Sequence, residues 1–178
     1  PKLGNVMTKI LVTTYMFPSI MLVIPYAMVM AKLNLTNTRI GLMLVYLSFS
    51  VPYAVWMLVG FFKTVPIGIE EAASIDGANK LQVFVRIVLP LVAPGIAAVA
   101  MLSFMYAWNE YTYTVIFTRT AVNNTVPLAL ALLNTEDNLT NFGLVAAGGV
   151  VSVIPITLFV IFAQNYLIPG LSSGAVKE

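Results

Sequence analysis

The 178-residue sequence has no cysteine and no histidine. Without cysteine there is no disulfide framework, iron–sulfur cluster or thiolate zinc site, and the redox compartment is unreadable. Without histidine the usual imidazole metal ligand and general base are gone. Charge is scarce too: nine Lys or Arg and seven Asp or Glu make up 9% of the chain, against 60% hydrophobic residues. Mean hydropathy is +0.93. An ordinary soluble domain carries about 25% charged residues, and sixteen ionisable side chains cannot cover a soluble fold of this size. The composition excludes disorder, which requires low hydrophobicity, and speaks against a soluble enzyme. No catalytic or metal-ligating constellation stands out. Net charge is only +2 and the basic residues are scattered, so no basic face offers itself to nucleic acid. The chain belongs in a lipid bilayer.

The gaps between charges organise it. Ile10 to Ala31 is a run of 22 uncharged residues, Ile40 to Phe62 one of 23 and Ile87 to Asn109 another of 23. Asn138 to Val176 adds 39, of which Phe142 to Leu167 is continuously apolar. At about 1.5 Å per residue, 22 residues reach about 33 Å, enough for a hydrocarbon core of about 30 Å. The runs do not alternate as barrel strands do. They predict an all-α fold, a polytopic membrane helix bundle forming one transmembrane domain over 1–178. Its four spans lie near 10–31, 40–62, 88–117 and 142–167, with a charged loop at 63–87. Proline occurs in every run (Pro18, Pro25, Pro52, Pro94, Pro155); neighbouring helices in a membrane can satisfy the freed carbonyls, so kinks rather than breaks are expected. The start at Pro1, with no Met and no signal-peptide layout, suggests that an N-terminal part is missing.

Four spans put Lys2, Lys9, Lys63, Lys80, Arg86 and Lys177 on one side and Lys32, Arg39 and Arg119 on the other. The positive-inside rule makes the first side cytoplasmic. The outer loops, Lys32–Arg39 and Thr118–Asn141, contain three Asn-x-Thr triplets starting at Asn34, Asn123 and Asn138. Such triplets are glycan acceptors in a secretory protein, but they also arise wherever loops are rich in Asn and Thr. Val126 to Leu133 is too short to cross and reads as an interfacial or re-entrant helix. Gly143 with Ala147, and Gly148 with Ser152, are small pairs four apart that let a neighbouring helix approach.

The loop Lys63 to Arg86 holds six of the sixteen charges. It reads as two short helices. Pro66 suits a helix start, Glu70 and Glu71 lie at the positive end of the dipole, and Ala72 and Ala73 favour helix. Gly77 suits the left-handed stop. A second helix runs from Asn79 to Val88, and Pro90 opens the third span. Small Ala72 and Ala73 beside acidic residues form a knob that a partner can approach closely.

Glu71-Ala72-Ala73, Gly77 three residues on, and Ile87-x-Leu89-Pro90 after nine more match E-A-A-x3-G-x9-I-x-L-P at every fixed position. This resembles the cytoplasmic loop of inner-membrane permease subunits of ABC importers that work with a binding protein. Pro52-Tyr53-Ala54-Val55-Trp56, Trp108-Asn109-Glu110-Tyr111, Thr125-Val126-Pro127-Leu128 and the tail from Gly170 to Lys177 are similar to the carbohydrate branch, near the second permease of maltose-type systems. The resemblance implies the type I permease fold, usually of six spans, in a prokaryotic cytoplasmic membrane. It implies a second homologous permease, an ATPase dimer and an extracytoplasmic solute-binding protein as partners, with lipid around them. ATP binds to the ATPase, so this chain needs no cofactor of its own. Glu70, Glu71, Ala72, Ala73, Asp76, Gly77, Ile87, Leu89 and Pro90 are the implied ATPase-coupling residues. The tail Gly174, Ala175, Val176 and Lys177 is a second implied contact. Leu171-Ser172-Ser173-Gly174 looks superficially like an ATPase signature, but Gly149 stands where the phosphate loop after Gly143 and Gly148 would need lysine.

Glu110 is the ionisable residue inside a long apolar stretch if the third span runs to Phe117. At helical spacing Tyr106, Asn109, Glu110 and Tyr113 share a face. Aromatic faces beside amides and carboxylates suit sugars, which makes these four a candidate translocation path. The plainer reading is an aromatic belt at the outer interface with Glu110 in water, and in maltose-type systems most sugar contacts belong to the partner permease. A sugar permease is therefore expected, with a polyol or glycerol phosphate permease, an ion-coupled secondary transporter or a structural scaffold as alternatives.

Overall fold

The computed structural model describes residues 6, 9–11, 13–14, 16–133 and 142–172, with side chains of the last helix described to Gln164. In chain order its helices are α1 (Ser19–Lys32), α2 (Arg39–Phe62), α3 (Ile67–Ile75) and α4 (Lys80–Val83), then a π-helical turn (Phe84–Val88). There follow α5 (Leu89–Trp108), α6 (Thr112–Phe117), a 3-10 turn (Ala121–Asn123), α7 (Val126–Leu133) and α8 (Phe142–Ser172). Among the described residues all regular structure is helical, as composition demands.

Among the described residues three helices are long and apolar enough to cross a membrane: Arg39–Phe62, the continuous Lys80–Trp108, and Phe142–Gln164. The expected first span at 10–31 is interrupted. Pro18 lies outside helix at φ −58° and ψ 119°, and the helix after it has only 14 residues, about 21 Å. Proline lacks an N–H and pushes its predecessor away from helical angles, so here it breaks the run instead of kinking it.

The third span also departs from expectation at both ends. It begins at Lys80, not near Pro90, because Asn79 starts the helix with a capping box: Asn79 Oδ1 accepts from Gln82 N at 2.9 Å and Asn79 N donates to Gln82 Oε1 at 2.9 Å. Pro90 sits just past the π turn, where the Leu89 N–H reaches back to the Phe84 carbonyl. The wider turn accommodates a proline that cannot donate to the preceding turn. At the far end the helix stops at Trp108 instead of running to 117.

Two small cores result. One, at the end where α1 meets α2, contains Val23, Met30, Leu42, Val45, Tyr113 and Phe117. The other, at the opposite end, contains Val65, Ala73, Val83, Val88 and Val92. Between them α2 and α5 pass so closely that a Cβ on Gly95 would run into the Phe61 ring. Helix α8 packs on α5 through Phe104 and Phe159, ring centroids 4.8 Å apart, and Trp108 Nε1 donates to the Ser152 carbonyl at 3.2 Å. Gly148 receives Leu130 of α7, so one small pair of α8 packs within the chain while Gly143 and Ala147 stay exposed. No residue in the most apolar stretch of α8 is buried.

The two loops assigned to one side do meet. Asn37, at φ 55°, accepts on Oδ1 from Arg119 N (2.8 Å), Thr120 N (3.1 Å) and Thr120 Oγ1 (3.1 Å). Arg39 donates to the Val122 carbonyl at 2.9 Å. Asn34, also at φ 55°, ends α1 in a Schellman turn, with Leu35 N donating to Met30 O and Asn34 N to Ala31 O. Two of the Asn-x-Thr asparagines therefore have structural work: Asn34 in that turn, and Asn123, which donates to the Asn37 carbonyl at 2.5 Å. Asn138 lies outside the described residues.

Candidate functional site

The 63–87 loop sits at the end opposite the Asn37 clasp. Lys63 and Thr64 close α2, Pro66 precedes α3, and Ile67–Ile75 forms nine residues of helix. The stop is the one foreseen: Gly77 has φ 87°, Ala78 N donates to Ala73 O at 3.0 Å and Gly77 N to Ser74 O at 3.2 Å. This is a Schellman turn, and the Asn79 capping box follows immediately. The corner between the helices is thus pinned by hydrogen bonds on both sides.

The sequence-predicted loop residues divide into two groups. Ala73 is only 6% exposed and packs inward on Val65, Val83, Val88 and Val92. Ile87 and Leu89 are half-buried around the π turn. Glu70, Glu71, Ala72, Asp76 and Pro90 are exposed. The alanine pair therefore does not form one outward knob: Ala73 seats the helix on its own chain and Ala72 faces away. The sequence reading missed the isoleucines, Ile67 at 72% and Ile75 at 85% exposure. Their signal was present, because isoleucines flanking an acidic pair in a loop outside the lipid have no bilayer to bury them. Beside α3 is a cleft of about 810 Å³ with Phe62, Phe84 and Val88 in its walls and Glu70, Glu71 and Lys80 around it.

The other candidate lies beside the α5–α6 break. Asn109 turns its Nδ2 back to the Met105 carbonyl at 2.7 Å, and the Glu110 carboxylate captures the backbone ahead. Oε1 accepts from Tyr113 N at 2.8 Å; Oε2 accepts from Thr114 N at 3.2 Å, Thr114 Oγ1 at 3.3 Å and the Tyr46 hydroxyl at 2.9 Å. The Glu110 carboxylate has taken the Tyr113 and Thr114 N–H groups that a continuous helix would have bonded to backbone carbonyls, and an anion at the N-terminus of α6 is favoured by its dipole. That is why the span ends early.

The break splits the four residues expected on one face. Tyr106, Asn109 and Glu110 border a cavity of about 580 Å³ between α2 and α5. Tyr113 turns into the core, 2% exposed, and donates to the Ser19 carbonyl at 2.6 Å. Phe49 bridges the two tyrosines, stacked on Tyr113 at 5.5 Å and edge-on to Tyr106 at 5.1 Å. The α2 wall, from Ser50 and Tyr53, and Ser103 one turn before Tyr106 on α5 were not anticipated. Tyr46, Ser50 and Tyr53 fall at i, i+4 and i+7, a polar stripe in an apolar helix that periodicity could have found. The predicted tail contact, Gly174 to Lys177, lies outside the described residues.

The sequence profile of the binding-protein-dependent transport system inner membrane component matches residues 1–173. The chain belongs to that family. It is a multi-pass membrane component of a transport system, not an enzyme. It is 39% identical over 163 residues to the trehalose transport system permease protein SugB of Mycobacterium tuberculosis, covering 91% of this chain and 60% of that protein. It is 35% identical over 162 residues to the trehalose/maltose transport system permease protein MalG of Thermococcus litoralis, covering 91% and 58%. The fold is similar to a chain of a bacterial ABC transporter involved in the import of the acidic polysaccharide alginate, with TM-score 0.66, 26% identity, and 90% and 61% coverage. The chain thus spans about three-fifths of the length of these relatives.

Proposed function

We propose that this chain is the permease part of an ATP-driven importer in a prokaryotic cytoplasmic membrane, carrying a sugar or oligosaccharide released by a solute-binding protein. A second homologous permease completes the pore, and a separate ATPase dimer drives it. The relatives support the substrate class: they are described as trehalose and trehalose/maltose permeases. Ordinary physics supports the coupling. A loop moved by a partner has to be short and stiff, or its displacement dissipates in flexible chain.

The observation that carries the reading is the α3–Gly77–α4 corner. Its turn is closed by the Ala78–Ala73 and Gly77–Ser74 bonds, and the helix after it is continuous to Trp108. A push on α3 passes through the corner into a helix about 43 Å long at 1.5 Å per residue. In this role Glu71 pairs with a basic group of the ATPase, Glu70 and Asp76 add to its negative field, and Ala72 allows close approach. The exposed Ile67 and Ile75 supply the apolar contact. Ala73, Ile87, Leu89 and Pro90 hold the lever to the span. Gly174, Ala175, Val176 and Lys177 add a tail contact to the ATPase.

On the path itself, Tyr106, Asn109 and Glu110 face the solute and Tyr113 positions them through Phe49. An ion-coupled mechanism would call on Glu110, but its carboxylate is already engaged by four donors. The test is co-purification of the ATPase with the full-length subunit, and ATP-dependent uptake, for Glu71→Lys and Gly77→Pro. Loss of both in the two variants is expected; retention of both in the two variants overturns the coupling role.

A further inference from the structure

The cavity between α2 and α5 has a chemistry of its own. Its volume of about 580 Å³ falls within the range of about 300–1,000 Å³ in which small molecules are bound. It lies near the midpoint of α2 and beside the break between α5 and α6. Tyr53 and Tyr106 provide aromatic surface on facing helices, with polar groups between them.

Those groups are set up for hydroxyls. Among the described residues Glu110 Oε2 accepts from three donors and Oε1 from the Tyr113 N–H, and a carboxylate oxygen has room for a further donor. Asn109 spends its Nδ2 on Met105, which leaves the amide oxygen as an acceptor. Ser103 also lines the cavity, but its Oγ is sealed beneath the surface and offers nothing to a solute. Glu110 is rigid because its partners come from two different elements, Tyr46 on α2 and Tyr113 with Thr114 on α6.

Charge narrows the solute further. Glu110 is the single ionisable acid in the wall, and no lysine or arginine is among the residues lining it. A uronate, sulfonate or phosphate ester would meet a like charge with no cation to pair it, which disfavours it. A neutral ring, with C–H faces for the tyrosines and hydroxyls for Glu110, Asn109 and Ser50, meets no such penalty.

We infer that the α2–α5 cavity is a sugar subsite on this subunit, built for a neutral saccharide ring and closed to acidic ones. This rests on the importer reading above, and deepens it by naming the solute's charge class and a second wall, Ser50 and Tyr53 of α2.

The experiment reconstitutes the complete transporter, with the full-length subunit and its binding protein, in proteoliposomes. Uptake of labelled trehalose, maltose, a diuronate and glycerol 3-phosphate is measured beside ATP hydrolysis. The neutral disaccharides are expected to enter and the two anions to be excluded. Ser50→Leu, which fills the cavity, is expected to lower sugar carried per ATP hydrolysed by about tenfold, the equivalent of one lost polar contact. Ser50→Ala, which leaves the volume open, is expected to lower it less, and it decides the matter if the leucine variant does not assemble. Wild-type sugar-to-ATP ratios in both variants overturn the subsite while leaving the importer reading intact. Entry of either anion as fast as the disaccharides overturns the neutral class. Absence of ATP-dependent uptake of every probe by an assembled complex overturns the importer reading itself.

Discussion

The hydroxyl of Tyr46 donates to Oε2 of Glu110 at 2.9 Å and lies 2.8 Å from Thr114 Oγ1, joining α2 to a carboxylate 64 residues further along the chain. Thr114 is fully buried while Tyr46 and Glu110 are half-buried, so this junction is a polar network that runs from the apolar core to the cavity. Such networks stabilise when every member is satisfied and destabilise when one is not.

Glu110→Gln keeps the shape but replaces one acceptor oxygen with a donor facing donors. It is expected to destabilise the purified full-length subunit by about 1–3 kcal/mol. Tyr46→Phe removes one of four donors and is expected to destabilise by about 1 kcal/mol. Thermal unfolding in detergent measures both, and because the residues touch, the double variant is expected to be less harmful than the sum. A fully additive double variant, or a Glu110→Gln protein as stable as the parent, refutes the network.

Gly77 is the second test. At φ 87° a Cβ is strained whatever the surrounding space, and the space here is open. The expected effect is therefore backbone strain alone, about 1–2 kcal/mol for Gly77→Ala. Asparagine tolerates this region better, and the chain already uses Asn34 at the matching position of the Schellman turn ending α1. Retention of the ATPase on co-purification is expected to rank glycine, then asparagine, then alanine. Equal retention by alanine and glycine shows that the corner does not govern docking.

How much of this was legible in the sequence follows the range of the forces involved. Gly77, the helix before it and the Asn79 start are local hydrogen-bond chemistry, and the residues alone announce them. The break after Trp108 is not local: Glu110 pulls the chain out of its helix with help from Tyr46 on another element, and apolar periodicity through 117 carries no trace of that. The interruption at Pro18 was visible as a residue but misjudged, because a proline inside a membrane helix can kink or break it and only the neighbours decide. The cavity's α2 wall was half-legible. Tyr46, Ser50 and Tyr53 form a helical stripe, yet nothing in their spacing says that they face Ser103 and Tyr106.

The close crossing of α2 and α5 makes a third prediction. A Cβ on Gly95 would overlap the Phe61 ring, so Gly95→Ala is expected to lower stability by about 1–3 kcal/mol through overpacking. Phe61→Leu in the same molecule opens space and is expected to recover part of the loss. Thermal midpoints of the two single variants and the double variant decide it, and absence of any recovery refutes the contact.

Asn37 separates two effects that usually travel together. Its left-handed backbone favours Asn or Gly over other residues, while its Oδ1 holds the Arg119–Thr120 turn with three donors. Asn37→Gly keeps the backbone freedom and loses the acceptor. Asn37→Asp keeps the acceptor and strengthens it with charge, since all four partners of Oδ1, Asn123 Nδ2 included, donate, although the Asn37 side-chain amide is lost. Asn37→Ala loses both. If the clasp is what joins the α1–α2 loop to 117–124, amide exchange at Arg119 and Thr120 is expected to accelerate in the glycine and alanine variants and to stay slow in the aspartate variant. Were backbone angle the governing factor, glycine would protect these amides and aspartate would not. Hydrogen exchange read by mass spectrometry on the full-length protein distinguishes the two, because both amides fall in the segment that Asn37 caps.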